Sequence, residues 1–283
     1  MRDPVDNATT FLFVPGNRPD RFGKAASSGA DIVILDLEDA VPAAQKHEAR
    51  EAASAFLAAG GRVCVRVNPL GSGELDADLA AVGGSPGLLG LMVAKADRPS
   101  VLHTAGATST PIIALIESAS GVAAAYEIAS SPQVARLAFG HLDYAVDIGA
   151  RPSHTAMLHA RSALVLAARR AGLPGPIDGV TAALDDTEAL LGDVDHAKDV
   201  GMSGKLLVHP RQVAPVTAAF RPDKRAVEWA QDVLDGAGSG EAVRIGGEMV
   251  DAPVIARAQA ILRQTRSPAA APRSKTSDTG KRS

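Results

Sequence analysis

The chain has 283 residues, is 46% hydrophobic and carries a net charge of −3. That is enough for one large domain, because α/β barrels reach roughly 250 residues as a single unit. The lone cysteine, Cys64, argues against a disulfide scaffold and for a reducing compartment. With no apolar signal core and no run of roughly 18 apolar residues, a cytoplasmic protein without a membrane span is expected.

Short apolar runs of β-branched type occupy 11–14, 32–35, 62–67, 88–93, 112–116, 134–139, a weak stretch near Ile177, and 205–208. Ala-rich stretches of helical character lie between them at 18–27, 45–59, 120–129, 153–171 and 186–200, and Gly and Pro mark the junctions. Eight strands alternating with helices require a parallel sheet with helical crossovers, and eight is the number that closes a (β/α)8 TIM-type barrel. A doubly wound open sheet is the competing architecture. The expected organisation is a barrel over 1–220, a C-terminal helical extension over 221–265 that packs on the barrel or on a neighbouring subunit, and a disordered basic tail over 266–283. From Arg263 onward six basic residues face one acid, so the preceding body carries −8. An acidic body argues against nucleic-acid binding.

Nearly every run ends in a group capable of chemistry. The ends carry Asn17 and Arg18; Asp36, Glu38 and Asp39; Arg66 and Asn68; Lys95; Glu117; Gly140 and Asp143; and His209. In a parallel barrel these ends share one face, where active sites lie. The second run is the densest, with three carboxylates within four positions, although Asp36 could simply end its strand. No zinc spacing, dinucleotide fingerprint or phosphate-binding lysine loop is present. What remains is oxygen-only: Glu117 and Asp143, with Glu38 and Asp39 behind them. Such a set suits Mg2+, which takes one or two carboxylates and keeps several waters that a 2-oxo acid can displace. Arg66 can pair with a carboxylate or steady an oxyanion. Lys95 and Lys205 also leave a Schiff-base aldolase open as a second reading.

The chain resembles the citrate lyase beta-subunit-like proteins of the HpcH/HpaI aldolase family. The resemblance rests on Phe13-Val14-Pro15-Gly16-Asn17-Arg18-Pro19; residues 31–41 with Lys46 and Arg50; Val65-Arg66-Val67-Asn68; and Ile116-Glu117-Ser118-Ala119-Ser120-Gly121. It continues through Phe139-Gly140 with Asp143, His209-Pro210 with Gln212, and residues 247–254. It implies a Mg2+-dependent carbon–carbon lyase acting on citryl-, malyl- or citramalyl-CoA, with a 2-oxo acid and an acyl-CoA as partners. A homotrimer or hexamer is also implied. Glu117 and Asp143 are then the metal ligands, and Arg66 binds the oxo or carboxylate end. Glu38 and Asp39 order metal waters, and Asp251 is the acid/base, supplied in cis or from a neighbour. Asn17, Arg18, Lys24 and Lys46 serve the CoA end. This chain departs from the family pattern at His141-Leu142-Asp143-Tyr144, where Leu142 replaces an acid, at Ala94-Lys95, and at Arg211. These differences bear on substrate identity. A thioesterase, a free-acid aldolase and a lyase subunit dependent on an acyl-carrier partner remain alternatives.

Overall fold

The computed structural model describes residues 4–99, 110–237, 244–245 and 248–265. These residues belong to two compact units, Met1–Arg221 and Pro222–Ser283. The basic tail expected over 266–283 lies outside the described residues.

The first unit is a closed barrel of eight strands: β1 (Thr10–Pro15), β2 (Ile32–Asp36), β3 (Val63–Val67), β4 (Leu88–Val93), β5 (Ile112–Ile116), β6 (Val134–Phe139), β7 (Ile177–Asp178) and β8 (Gly204–Leu207). Every pairing is parallel, and β1 closes the ring on β8 through Phe11 and Leu206. All residues of β2 and β5 are buried, as befits parallel strands covered on both faces. The weak run at Ile177 is a strand of two residues.

Side chains alternate between two cores, because successive residues of a strand point to opposite faces. One file fills the interior: Phe11, Ile32, Ile34, Cys64, Met92, Ile113, Leu115, Ala138, Ile177 and Leu206. The other file, including Leu12, Val33, Leu35, Val65 and Leu137, packs against the surrounding helices. At the N-terminal mouth, α1 (Pro4–Asn7) meets the fully buried Arg136 of β6. This guanidinium donates to the carbonyls of Val5, Ala8 and Gly175 and to Ser203 Oγ, and it stacks on Phe11. A buried cation is tolerated here because its donors are satisfied.

The helices of this unit are α2 (Phe22–Ala26), α3 (Lys46–Ala58), α4 (Leu75–Val82), α5 (Ala119–Ala123), α6 (Ala125–Ala129), α7 (His141–Asp147), α8 (His154–Arg170), α9 (Thr187–Val200) and α10 (Val213–Phe220). Three of these, α4, α7 and α10, were not expected from periodicity. The helix expected over 120–129 is instead two short ones, because Ala124 leaves helical geometry at ψ 9°. No described helix is long and apolar enough to cross a membrane.

The second unit consists of α11 (Lys224–Ala237), an antiparallel pair β9 (Arg244–Ile245) and β10 (Glu248–Met249), and α12 (Ala252–Thr265). Ala230 and Val233 of α11 pack on Ala258 of α12, and Arg257 lies over the Trp229 ring.

Candidate active site

The interior file of the barrel turns polar at the C-terminal ends of its strands. Two residues beyond Ile34 stands Asp36, two beyond Cys64 stands Arg66, two beyond Leu115 stands Glu117, and two beyond Ala138 stands Gly140. Alternation therefore aims all four positions into the barrel mouth.

Asp36 is buried and grips Arg66 with both oxygens, at 2.7 Å from Nε and 2.5 Å from Nη2. The same carboxylate accepts the backbone N–H groups of Glu38 and Ala40 and so shapes the turn that follows β2. Arg66 lies over the Phe13 ring at 4.9 Å, and its Nη1 is 3.1 Å from Glu38 Oε2. Burial alone would lower the Arg66 pKa. Its hydrogen bonds to Asp36, with the nearby charges of Glu38 and Glu117, outweigh that and hold it above its ordinary value.

Glu38 is 3% exposed. Its Oε1 accepts from Lys95 Nζ at 2.8 Å, whereas Asp39 is exposed and lies 3.7 Å from the same ammonium. Burial raises the Glu38 pKa against the pull of Arg66 and Lys95. Lys95 sits at φ 52°, in the left-handed region, a conformation that is costly for a residue with a side chain and concentrates at functional sites. That bend lets its backbone N–H donate to Glu117 Oε1 at 2.8 Å while its side chain reaches back to Glu38.

Glu117 is buried. Burial pushes its carboxyl up to about 8, opposed by the Lys95 N–H and reinforced by a hydrogen bond with Asp143 and the charge of Glu38. Asp143 stands exposed in the first turn of α7, and the turn into that helix passes through Gly140. A Cβ at Gly140 would lie 2.6 Å from Glu117 Cγ and 2.8 Å from Oε2. At φ −86° the backbone there would admit any residue, so the requirement for glycine comes from room for the carboxyl. We expect Gly140→Ala to displace Glu117 and weaken divalent-cation binding about tenfold or more, with an overpacking cost of about 1–3 kcal/mol. Calorimetric titration with Mg2+ and thermal melts check both.

Of the residues expected at the site, the barrel mouth brings together Arg66, Glu38, Asp39, Glu117 and Asp143. Two were undervalued: Asp36, which holds Arg66, and Lys95, which bridges Glu38 and Glu117. The signal for Asp36 was its place in the file Ile32, Ile34, Asp36. The residues assigned to the CoA end differ in how far they are committed to partners within the chain. Asn17 donates to Gln45, Arg18 is paired with Asp20, and Lys24 is exposed on α2. Lys46 does not fit that assignment, because its ammonium donates to Leu37 O, Glu38 O and Asn68 Oδ1 and an ammonium has three donors. His209 caps the short helix Pro210–Gln212, its Nδ1 accepting from Arg211 N. Buried His141 packs beside Gly179, and burial lowers it to about 4, so it is neutral. Asp251 belongs to the second unit, where it caps α12 by accepting from Val254 N.

A groove of about 660 Å³ lies elsewhere, between α3 and α4, lined by Arg50, Ala55, Ala58, Ala77 and Ala81 among others. It holds none of the strand-end groups, and the carboxylate cluster at the barrel mouth is the better candidate on chemistry. Among the described residues no three His, Cys, Asp or Glu side chains are grouped to enclose a metal.

Residues 9–210 match the model of the HpcH/HpaI aldolase/citrate lyase family. The chain belongs to this family. A citrate lyase subunit beta-like protein of Deinococcus radiodurans is 36% identical, covering 93% of this chain and 99% of that protein. A (3S)-malyl-CoA thioesterase of Cereibacter sphaeroides is 32% identical over 87% of this chain and 88% of its own. Among solved structures, CitE of Mycobacterium tuberculosis in complex with magnesium, acetoacetate and coenzyme A superposes with a TM-score of 0.81 at 33% identity, covering 91% of this chain and 98% of that one. In parallel barrels active sites lie at the C-terminal ends of the strands, and here that mouth holds one arginine, one lysine and the buried carboxylates Asp36, Glu38 and Glu117.

Proposed function

We propose that this chain is a Mg2+-dependent carbon–carbon lyase that cleaves, or in reverse forms, a 3-hydroxyacyl-CoA of the malyl-, citramalyl- or citryl-CoA type and yields a 2-oxo acid. The observation that carries the reading is the Glu117–Asp143 pair facing Arg66 across the barrel mouth. A buried carboxyl held up to about 8 beside two other carboxylates is poorly placed by itself and well placed next to a cation. Two protein carboxylates with room for water or substrate oxygens suit Mg2+, and the magnesium in the CitE complex supports the choice.

Glu117 and Asp143 would hold the ion, which when bound acts as a Lewis acid toward a carbonyl oxygen and toward charge developing on it. Arg66, held by Asp36 and seated on Phe13, binds the carboxylate of the 2-oxo acid and steadies the same developing charge from a second side. Glu38 and Asp39, steered by Lys95, order water around the reacting oxygen. The 3-hydroxyl proton passes to that ordered water as the carbonyl forms, and Asp251 delivers a proton to the acyl carbon freed by C–C cleavage; in the reverse direction both transfers run backwards. Asn17, Arg18 and Lys24 bind the CoA end. The Schiff-base route is disfavoured because the hydrogen bond to Glu38 raises the Lys95 pKa where an amine nucleophile needs it lowered. Lys205 is likewise committed, to Asp178 and Gly179 O.

A metal-supplemented screen of malyl-, citramalyl- and citryl-CoA, with and without EDTA, tests the proposal. Full turnover under thorough chelation overturns it. The kinship to a malyl-CoA thioesterase gives the second reading, and the products decide between them: a lyase releases an oxo acid and a shorter acyl-CoA, whereas a thioesterase releases the intact hydroxy acid and free CoA. Activity of the isolated chain excludes dependence on an acyl-carrier partner. Assembly as a trimer or hexamer with Asp251 acting in trans predicts regained activity when inactive Arg66→Ala and Asp251→Asn chains are mixed.

The raised Glu117 carboxyl also predicts a pH dependence. Mg2+ binds the ionised form, so protonation competes with it. Affinity should fall about tenfold per pH unit below roughly 8 and level off above. The metal-free protein should behave conversely. A carboxyl whose folded pKa lies above its unfolded one stabilises the fold at low pH, and that stability is lost as pH rises from the unfolded value through about 8. Calorimetry from pH 6 to 9, and melts with and without Mg2+, check the two signs.

A further inference from the structure

We propose that Lys46, Asn68 and Asp78 form a positioning relay that aims Glu38 at Arg66 and Lys95, an inference that rests on the lyase reading of the site. The turn after β2 turns two carbonyls, Leu37 O and Glu38 O, toward Lys46 Nζ at 2.6 and 2.7 Å. The third ammonium donor goes to Asn68 Oδ1 at 2.7 Å. The Asn68 amide is thereby oriented: its Nδ2 donates to Leu37 O at 2.9 Å and to Asp78 Oδ2 at 2.7 Å, and its backbone N–H donates to the same oxygen at 2.8 Å. Asp78, on α4 and fully buried, is held from its other oxygen by Arg50 Nη1 at 3.2 Å, and Arg50 is itself fixed by Glu74.

The relay thus links α3, the end of β3 and α4 to one point, the backbone on which Glu38 hangs. Its members reach each other rather than the barrel mouth. With all three ammonium donors taken, Lys46 is a positioning residue and contributes nothing to the binding of a CoA phosphate. Buried charged networks seldom add net stability over apolar packing of the same shape. A fully satisfied network does hold one geometry. The geometry held here is that of a carboxylate placed 2.8 Å from Lys95 and 3.1 Å from Arg66, and the ion pair with Arg66 is made by Glu38 Oε2, an oxygen without a hydrogen-bond partner.

The test is a double-variant cycle with a structural readout, on the full chain. Lys46→Met should lower kcat about 10- to 100-fold with little change in the KM for the acyl-CoA. In a Glu38→Gln background the same change should cost less than about threefold, because the two act through one carboxylate. A crystal structure of Lys46→Met should show the Glu38 carboxylate displaced from Lys95 and Arg66. Should Lys46→Met fail to fold, Asp78→Asn, which keeps shape while setting an amide against Arg50, enters the same cycle with the same expectations. The relay is overturned if the effects multiply, if KM rises while kcat holds, or if Glu38 keeps its place in the variant crystal. Absence of lyase turnover in the unaltered chain overturns the functional reading instead, and the crystallographic comparison still decides the relay.

Discussion

Glu117→Gln is expected to cut metal-dependent turnover at least about a thousandfold, roughly 4 kcal/mol of barrier, while leaving the fold intact. The two halves of that expectation share one cause. A carboxyl held up to about 8 is largely protonated at neutral pH when no cation is near, and a glutamine matches the protonated form in size. The amide can still receive the Lys95 backbone N–H that now reaches Oε1 at 2.8 Å. Removing the charge therefore costs the metal-free protein little. On the proposed function it would cost the loaded protein one of the two carboxylates that hold the cation. Thermal melts separate the halves. The unaltered chain should gain stability with Mg2+, about 2.7 kcal/mol at a hundredfold excess over its Kd, and the variant should gain almost none. Retained turnover, or an equal Mg2+ shift in both proteins, would remove Glu117 from the metal site.

Asp36→Ala should be the most damaging single change to the site, because stability and chemistry fail together. Asp36 accounts for both short hydrogen bonds to Arg66 and for two backbone N–H groups of the following turn. Deleting it leaves a guanidinium that is 11% exposed with Glu38 as its nearest carboxylate. Breaking a buried pair from one side costs about 3–5 kcal/mol. For a unit of this size that is a fall in melting temperature of about 6–20 °C. Asp36→Asn keeps the acceptor and the turn geometry, so it should retain most of the stability and lose activity through a less rigid Arg66. Equal melting temperatures for the alanine variant and the unaltered chain would contradict the buried-pair account.

The barrel was readable because strand signals repeat eight times with helical stretches between many of them, and nearly every apolar run is followed by a polar group or a glycine. Less readable was the direction in which each polar residue points. A strand buried on both faces, such as Ile32–Asp36, shows no alternation of polarity, and so Asp36 passed for a strand end. Register makes its phase plain, since it stands level with Arg66 on β3. Lys95 needed its left-handed backbone to be understood, since that conformation lets one residue serve Glu117 with its amide and Glu38 with its side chain. Asp78 was hidden differently: it sits on a short helix that periodicity missed, and its partner Asn68 looked like one more strand-end polar group. Lys46 illustrates the limit of motif matching. Its place in the pattern is right, and its three bonds to acceptors within the chain give it another task.

The buried Arg136 at the far end of the barrel sets an order of events in synthesis. Its hydrogen-bond acceptors are contributed by Val5 and Ala8 at the start of the chain, and by Gly175 and Ser203 close to the end of the barrel sequence. The ring likewise closes only when β1 meets β8. As the chain leaves the ribosome, the first strand must wait for nearly two hundred residues before its second neighbour exists, and until then a guanidinium destined for the dry interior stays in water. One side chain thus ties both ends of the barrel sequence together, so a deletion reaching Ala8 should strip Arg136 of two of its acceptors and leave the ring less resistant to proteolysis at the end opposite the carboxylate cluster.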